Sequence, residues 1–94
     1  MAKIFVVDRE SQANAKVFQV DRESQADLLF HVVDRESQAK GDAHWFFVQR
    51  ESQADFKIYW VDRESQADIK VFKAHRESQA GWKKSNSFRS RIGK

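Results

Sequence analysis

The chain has 94 residues, of which 40% are hydrophobic, 13% aromatic and 33% charged. That apolar content excludes simple disorder, and the length allows one small domain with a modest core. Cysteine is absent, which excludes a disulfide and a thiolate zinc site; with no leader pattern at the start and no apolar run near membrane-span length, a soluble cytoplasmic protein is the expectation.

The net charge of +3 is unevenly placed. From Gly81 onward there are five basic residues (Lys83, Lys84, Arg89, Arg91, Lys94) and no acids, leaving 12 basic against 14 acidic residues in residues 1–80. A weakly acidic body argues against a repeat array that wraps nucleic acid.

Six apolar runs follow one another along the chain: AKIFVV (2–7), AKVFQV (15–20), LLFHVV (28–33), AHWFFV (43–48), FKIYWV (56–61) and IKVFKA (69–74). Each is rich in β-branched and aromatic residues and has normal strand length, so each predicts a strand. After each run comes the word RESQA, beginning at Arg9, Arg22, Arg35, Arg50, Arg63 and Arg76. The arginine spacings are 13, 13, 15, 13 and 13, so a three-repeat unit occurs twice with a two-residue insertion between the halves. Gly41 and Asp42 mark that insertion as a turn.

The residue before Arg is Asp8, Asp21, Asp34, Gln49, Asp62 or His75. An Asp there predicts an N-cap, and Arg-Glu-Ser-Gln-Ala tolerates helical dihedrals, so each word predicts one helical turn or a wide loop between strands. With no proline and only three glycines, tight hairpin turns needing positive φ are disfavoured.

Strand side chains alternate between faces. Counting back from each Arg, the fourth residue (Phe5, Phe18, His31, Phe46, Tyr59, Phe72) and the second (Val7, Val20, Val33, Val48, Val61, Ala74) share one face. The fifth (Ile4, Val17, Phe30, Trp45, Ile58, Val71) lies on the other, with a freely varying third (Val6, Gln19, Val32, Phe47, Trp60, Lys73). Both faces are apolar enough to require cover. The expected architecture is all-β: an antiparallel meander of six short strands forming a small barrel or two packed three-stranded sheets, with a β-solenoid as the alternative. A parallel coil is disfavoured because a six-residue return is short and the bulky interior side chains need width. The expected domain layout is a six-repeat β domain over residues 1–82 and a basic tail over 83–94.

The repeated VDRESQAD, ADIKVF, the mid-chain AKGDAHWFFV and the ending AGWKKS resemble a family of small bacterial proteins of unknown function built from six such repeats. The resemblance covers nearly the whole chain. It implies the repeat count and one complete domain, and it transfers no activity and no catalytic residue. Members often carry an aromatic residue inside the turn word, where this chain has Ser11 and its equivalents.

No residue set rises to a specific chemistry. His31, His44 and His75 occupy three different phases of the repeat, so repeat symmetry does not assemble them into a metal site. The six equivalent serines (Ser11, Ser24, Ser37, Ser52, Ser65, Ser78) read as turn residues, without a nucleophile elbow. No glycine-rich phosphate loop is present. The expectation is therefore no enzyme and no cofactor or metal, but a structural or protein-interaction repeat module that self-associates or binds a protein partner through the face holding Trp45, Phe47 and Trp60. The second expectation, from another class, is a nucleic-acid-associated protein using Trp82, Lys83, Lys84, Phe88, Arg89 and Arg91: basic groups neutralise phosphates and aromatics stack on bases.

Overall fold

A computed structural model describes residues 2–84, 86, 88, 91 and 92. Each apolar run forms a strand: β1 (Ala2–Val6), β2 (Ala15–Gln19), β3 (Leu28–Val32), β4 (His44–Phe47), β5 (Phe56–Trp60) and β6 (Ile69–Lys73), followed by a two-residue β7 (Gly81–Trp82). Glu-Ser-Gln of each word forms a single 3-10 turn, entered by an Arg in extended conformation with φ between −127° and −132°. The expected Asp cap is not made. The turn opens at Arg without a side-chain cap, and the alanine N–H bonds the glutamate carbonyl in all six copies.

The topology overturns both expected architectures. The strands run in the order β4-β1-β5-β2-β6-β3, every neighbouring pair among them is parallel, and β3 pairs with β4 to close the barrel. The antiparallel meander, the two packed sheets and the stacked solenoid are all excluded. The first three strands occupy alternate places in one circuit, and the next three fill the gaps in a second circuit. The two-residue insertion at Gly41–Asp42, where Gly41 has φ 65°, lies where the chain passes from one circuit to the next. β7 runs antiparallel to Leu28–Leu29 of β3, below the point where β4 pairs with His31 and Val32.

The register explains why the parallel arrangement works with such short returns. At each of the six interfaces, a residue five before its Arg faces a residue seven before the neighbour's Arg, as Ile4 faces Phe56 and Ile58 faces Ala15. A stagger of two residues preserves the inward–outward alternation. Repeated at six interfaces it totals twelve residues, twice the strand number. In an eight-stranded α/β barrel the two numbers are equal and the tilt is about 36°, so these strands are inclined more steeply. Steep tilt makes the barrel short and wide. The molecule is a disc of 32 × 32 × 20 Å. A return of six residues spans that thickness, and the wide interior accepts indole and phenyl rings.

Two inward layers fill the barrel: Ile4, Val17, Phe30, Trp45, Ile58 and Val71, and below them Ala2, Ala15, Leu28, Ala43, Phe56 and Ile69. All twelve are buried, and Trp45 stacks on Phe30 at 4.4 Å while its indole N–H donates to the Asp42 carbonyl at 2.7 Å. Each large aliphatic side chain so removed from water stabilises the fold by about 1.5–3 kcal/mol before entropy is counted. The outward apolar face is covered by the returns themselves. Each turn crosses the outside of the barrel, and Ala26 of the second word is buried against Val20, Leu29 and Ala74, with Phe18 and Phe72 beside them. The invariant alanine is small because the return lies close to this outer layer.

The residue after four of the six alanines ties the two circuits together. Asp55 donates its N–H to the Lys3 carbonyl at 2.8 Å and accepts from the Lys3 N–H at 3.2 Å. The same two-way clamp joins Asp68 to Lys16, Asn14 to Lys57 and Asp27 to Lys70. The glutamates of the words add ion pairs within each circuit and to the tail. Glu10, Glu36, Glu51 and Glu64 pair with Lys16, Lys3, Lys57 and Lys70, Glu23 with Lys83, and Glu77 lies 3.5 Å from His44. No turn arginine pairs with a turn glutamate among the described residues. No helix among the described residues is long and apolar enough to cross a membrane.

Candidate functional site

Because all six strands are parallel, their carboxyl ends meet at one end of the barrel and their amino ends at the other. In parallel α/β architectures the carboxyl ends are where ligands bind. Here the freely varying third residue of each repeat falls at that end. It makes an incomplete lid: Val32, Phe47 and Trp60 are half-buried against the interior, while Gln19 and Lys73 are exposed and Val6 is 39% exposed.

A cleft of about 680 Å³ opens on this end, lined by Gln19, His31, Val32, Asp34, Phe72, Lys73, Ala74 and His75. Three of these eight depart from a regular position of the repeat, and two more are the polar residues at its varying third position. His31 replaces the aromatic carbocycle found at the fourth position in the other five copies. Gln19 and Lys73 are the two polar residues at the third position. Ala74 stands where the other copies have valine, and His75 where four have aspartate. They come from different repeats and meet because β6 lies between β2 and β3. The loss of two methyl groups at Ala74 makes room at the wall. Phe72 forms the apolar floor, with the His75 ring edge-on to it at 6.2 Å.

The cleft therefore combines an ammonium, a carboxylate, an amide and two imidazoles around an aromatic face. The side chains of Gln19, His31, Asp34, Lys73 and His75 make no hydrogen bond or ion pair with one another or with other described residues. Their polar atoms point to a ligand-sized space rather than into an internal network. The arrangement offers charge, hydrogen bonds and an apolar contact, and it shows no nucleophile held against a base. No group of three or more His, Asp or Glu side chains among the described residues is disposed to hold a metal ion.

The histidines, which repeat phase keeps apart, are brought together in part. His31 and His75 line the same cleft, and the His31 and His44 rings lie 6.2 Å apart. None of the cleft residues was among the sequence-predicted site residues. The signal that finds them is the set of departures at the first four positions before Arg, combined with knowledge of which strands are neighbours.

The sequence-predicted residues are placed elsewhere. Trp45 is fully buried inside the barrel and offers no interface, while Phe47 and Trp60 are half-buried above it at the carboxyl end. In the tail, Trp82 packs against the interior cluster and its indole N–H donates to Asp42 Oδ2 at 2.8 Å. Phe88 packs edge-on to Phe56 at 5.9 Å, and Ile92 is fully buried in the same cluster. Lys83 is paired with Glu23 at 3.3 Å; Lys84 and Arg91 are exposed; Arg89 lies outside the described residues. Both tail aromatics with a described position are thus spent on the barrel, not presented for stacking on bases.

No curated protein and no solved structure matches the chain. A family described as the 7(1) septoil knot domain matches residues 1–83. That span covers every strand and every turn word, and a barrel wound in two interleaved circuits is the kind of path such a description names. The chain belongs to the 7(1) septoil knot domain family.

Proposed function

We propose that the protein is a non-catalytic protein-interaction module whose recognition site is the cleft at the carboxyl ends of β2, β6 and β3. The observation that carries this reading is the convergence on one cleft of three departures from regular positions (His31, Ala74, His75) and the two polar residues of the varying third position (Gln19, Lys73). Regular positions serve the barrel equally in all copies. Departures that stabilise nothing inside the chain, yet gather at one place, serve something outside it. The cleft volume is within the usual range of ligand sites, about 300–1,000 Å³. Lys73 and the imidazoles suit a carboxylate, and Phe72, Val32 and Ala74 suit an apolar side chain beside it. The ligand class is a short segment of a partner protein that presents an acidic group next to an apolar one.

The test is a bead-displayed library of short peptides, selected with the wild-type protein and counter-selected with Ala74→Val, which refills the cleft wall, and with Lys73→Ala. The expected result is a set of acidic–apolar peptides that bind wild type and lose at least tenfold in affinity to either variant. Peptides enriched equally by all three proteins would sink the reading.

A further inference from the structure

The turn words carry an observation independent of the cleft. In each RESQA, alanine is accounted for by its close approach to the barrel, and glutamate by its basic partner in the strands or tail. Arginine, serine and glutamine are not accounted for in this way. All eighteen of these side chains are exposed, none caps its turn, and none makes a hydrogen bond or ion pair with a described residue. Yet they are identical in six copies, while the strands between them have diverged to residues as different as Val6, Gln19, Trp60 and Lys73. Exposed residues without partners are the least constrained by folding. Their sameness calls for a constraint from outside the chain, acting alike on all six turns.

The charges around each turn identify the partner. The exposed Asp8, Asp21 and Asp62 immediately precede Arg9, Arg22 and Arg63. No ion pair joins these aspartates to the arginines beside them, and none of these arginines caps its turn. Each such turn therefore presents a cation and an anion side by side, both unpaired. An aspartate beside four of the six arginines (Asp8, Asp21, Asp34 and Asp62) works against a polyanion as the occupant. A second copy of the same turn, approached the other way round, fits: arginine meets aspartate twice, as a twofold contact requires.

We infer that the circumference of the disc is a self-association surface, on which the Asp-Arg-Glu-Ser words of one copy dock against those of another. Exposed ion pairs are individually weak, so the association is shallow and acts through number, any of several turns serving as the contact. It leaves the barrel interior and the cleft at its end untouched.

The experiment is sedimentation equilibrium of the whole chain across protein concentration, in low salt and in about 0.5 M salt, where surface charges are screened within about 4–5 Å. The expected result is an average mass that climbs with concentration above 11.0 kDa in low salt and returns to 11.0 kDa in high salt. A variant with all six turn arginines changed to glutamine, its fold checked by circular dichroism, is expected to remain at 11.0 kDa in both. A second variant, Asp8→Asn with Asp21→Asn and Asp62→Asn, tests the opposite half of each contact and is expected to lose most of the association. A wild-type mass of 11.0 kDa at every concentration in low salt would overturn the inference. So would association that persists in high salt or in the glutamine variant, or low-salt binding to a heparin column by a protein that stays monomeric.

Discussion

The two ends of the barrel are built from the same repeat and finished differently. At the amino end, three of the six lower-layer residues are alanine (Ala2, Ala15, Ala43), and the tail supplies the missing volume. Ile92 is buried in that cluster, Phe88 packs on Phe56, and Trp82 is anchored to Asp42. The Asx clamps lie at the same end. At the carboxyl end no described segment closes over Val6, Val32, Phe47 and Trp60, and the polar residues there line the cleft instead. One end is stapled for stability; the other is left open and carries the cleft proposed for recognition. A repeat barrel can divide its labour this way only because parallel strands segregate their two kinds of ends.

Six substitutions sharpen or break that comparison. Ile92→Ala, in the plug, is expected to lose about 2–4 kcal/mol in urea unfolding, because a fully buried side chain leaves a cavity. Trp60→Ala, at the open end, removes a larger side chain yet is expected to lose only about 1–2 kcal/mol, since half-burial means less area returned to water. If Trp60→Ala proves the costlier of the two, the plug is not what holds the amino end. A smaller contrast uses aspartate. Asp68→Ala breaks the clamp on the Lys16 N–H at 2.9 Å and should cost about 0.5–1 kcal/mol in thermal melts. Asp62→Ala, without a partner at the other end, should stay within about 0.5 kcal/mol of wild type. Asp68→Asn is expected to be near neutral, because Asn14 already makes the equivalent clamp on Lys57 at 2.8 Å. The smallest effect belongs to the belt between the ends: Glu51→Gln, losing the 3.2 Å pair with Lys57, should change stability by no more than about 0.5 kcal/mol, and less as salt is raised.

Much of the fold was legible in the chain. Strand positions follow from runs of β-branched and aromatic residues, and the single helical turns follow from words without Pro or Gly. The face assignment holds as well: the fifth position before Arg is inside, and the second and fourth are covered from without. Strand direction was not legible, since propensity and alternation are the same for parallel and antiparallel neighbours. The length argument against parallel strands failed because it ignored tilt. The site was half legible. The residues His31, Gln19, Lys73, Ala74 and His75 stand out against the repeat, but nothing in their spacing, from residue 19 to residue 75, says that they meet. The tail's packing was not legible for a related reason. Trp82 and Phe88 among basic residues look like a stacking surface until the alanines of the lower layer show where the rings go.

The sequence by itself determined six strands, six identical turns and an apolar alternation that requires cover on both faces, because those depend on local dihedral preference and on period. Only the tertiary structure decided that the second circuit threads between the strands of the first, that the stagger flattens and widens the barrel, and that β6 brings residues of β2 and β3 to one cleft. Those outcomes depend on which backbone edges pair, and in a chain of near-identical repeats every edge offers the same donors and acceptors. The choice among them is made by closure of the whole barrel, which no single stretch of the chain contains.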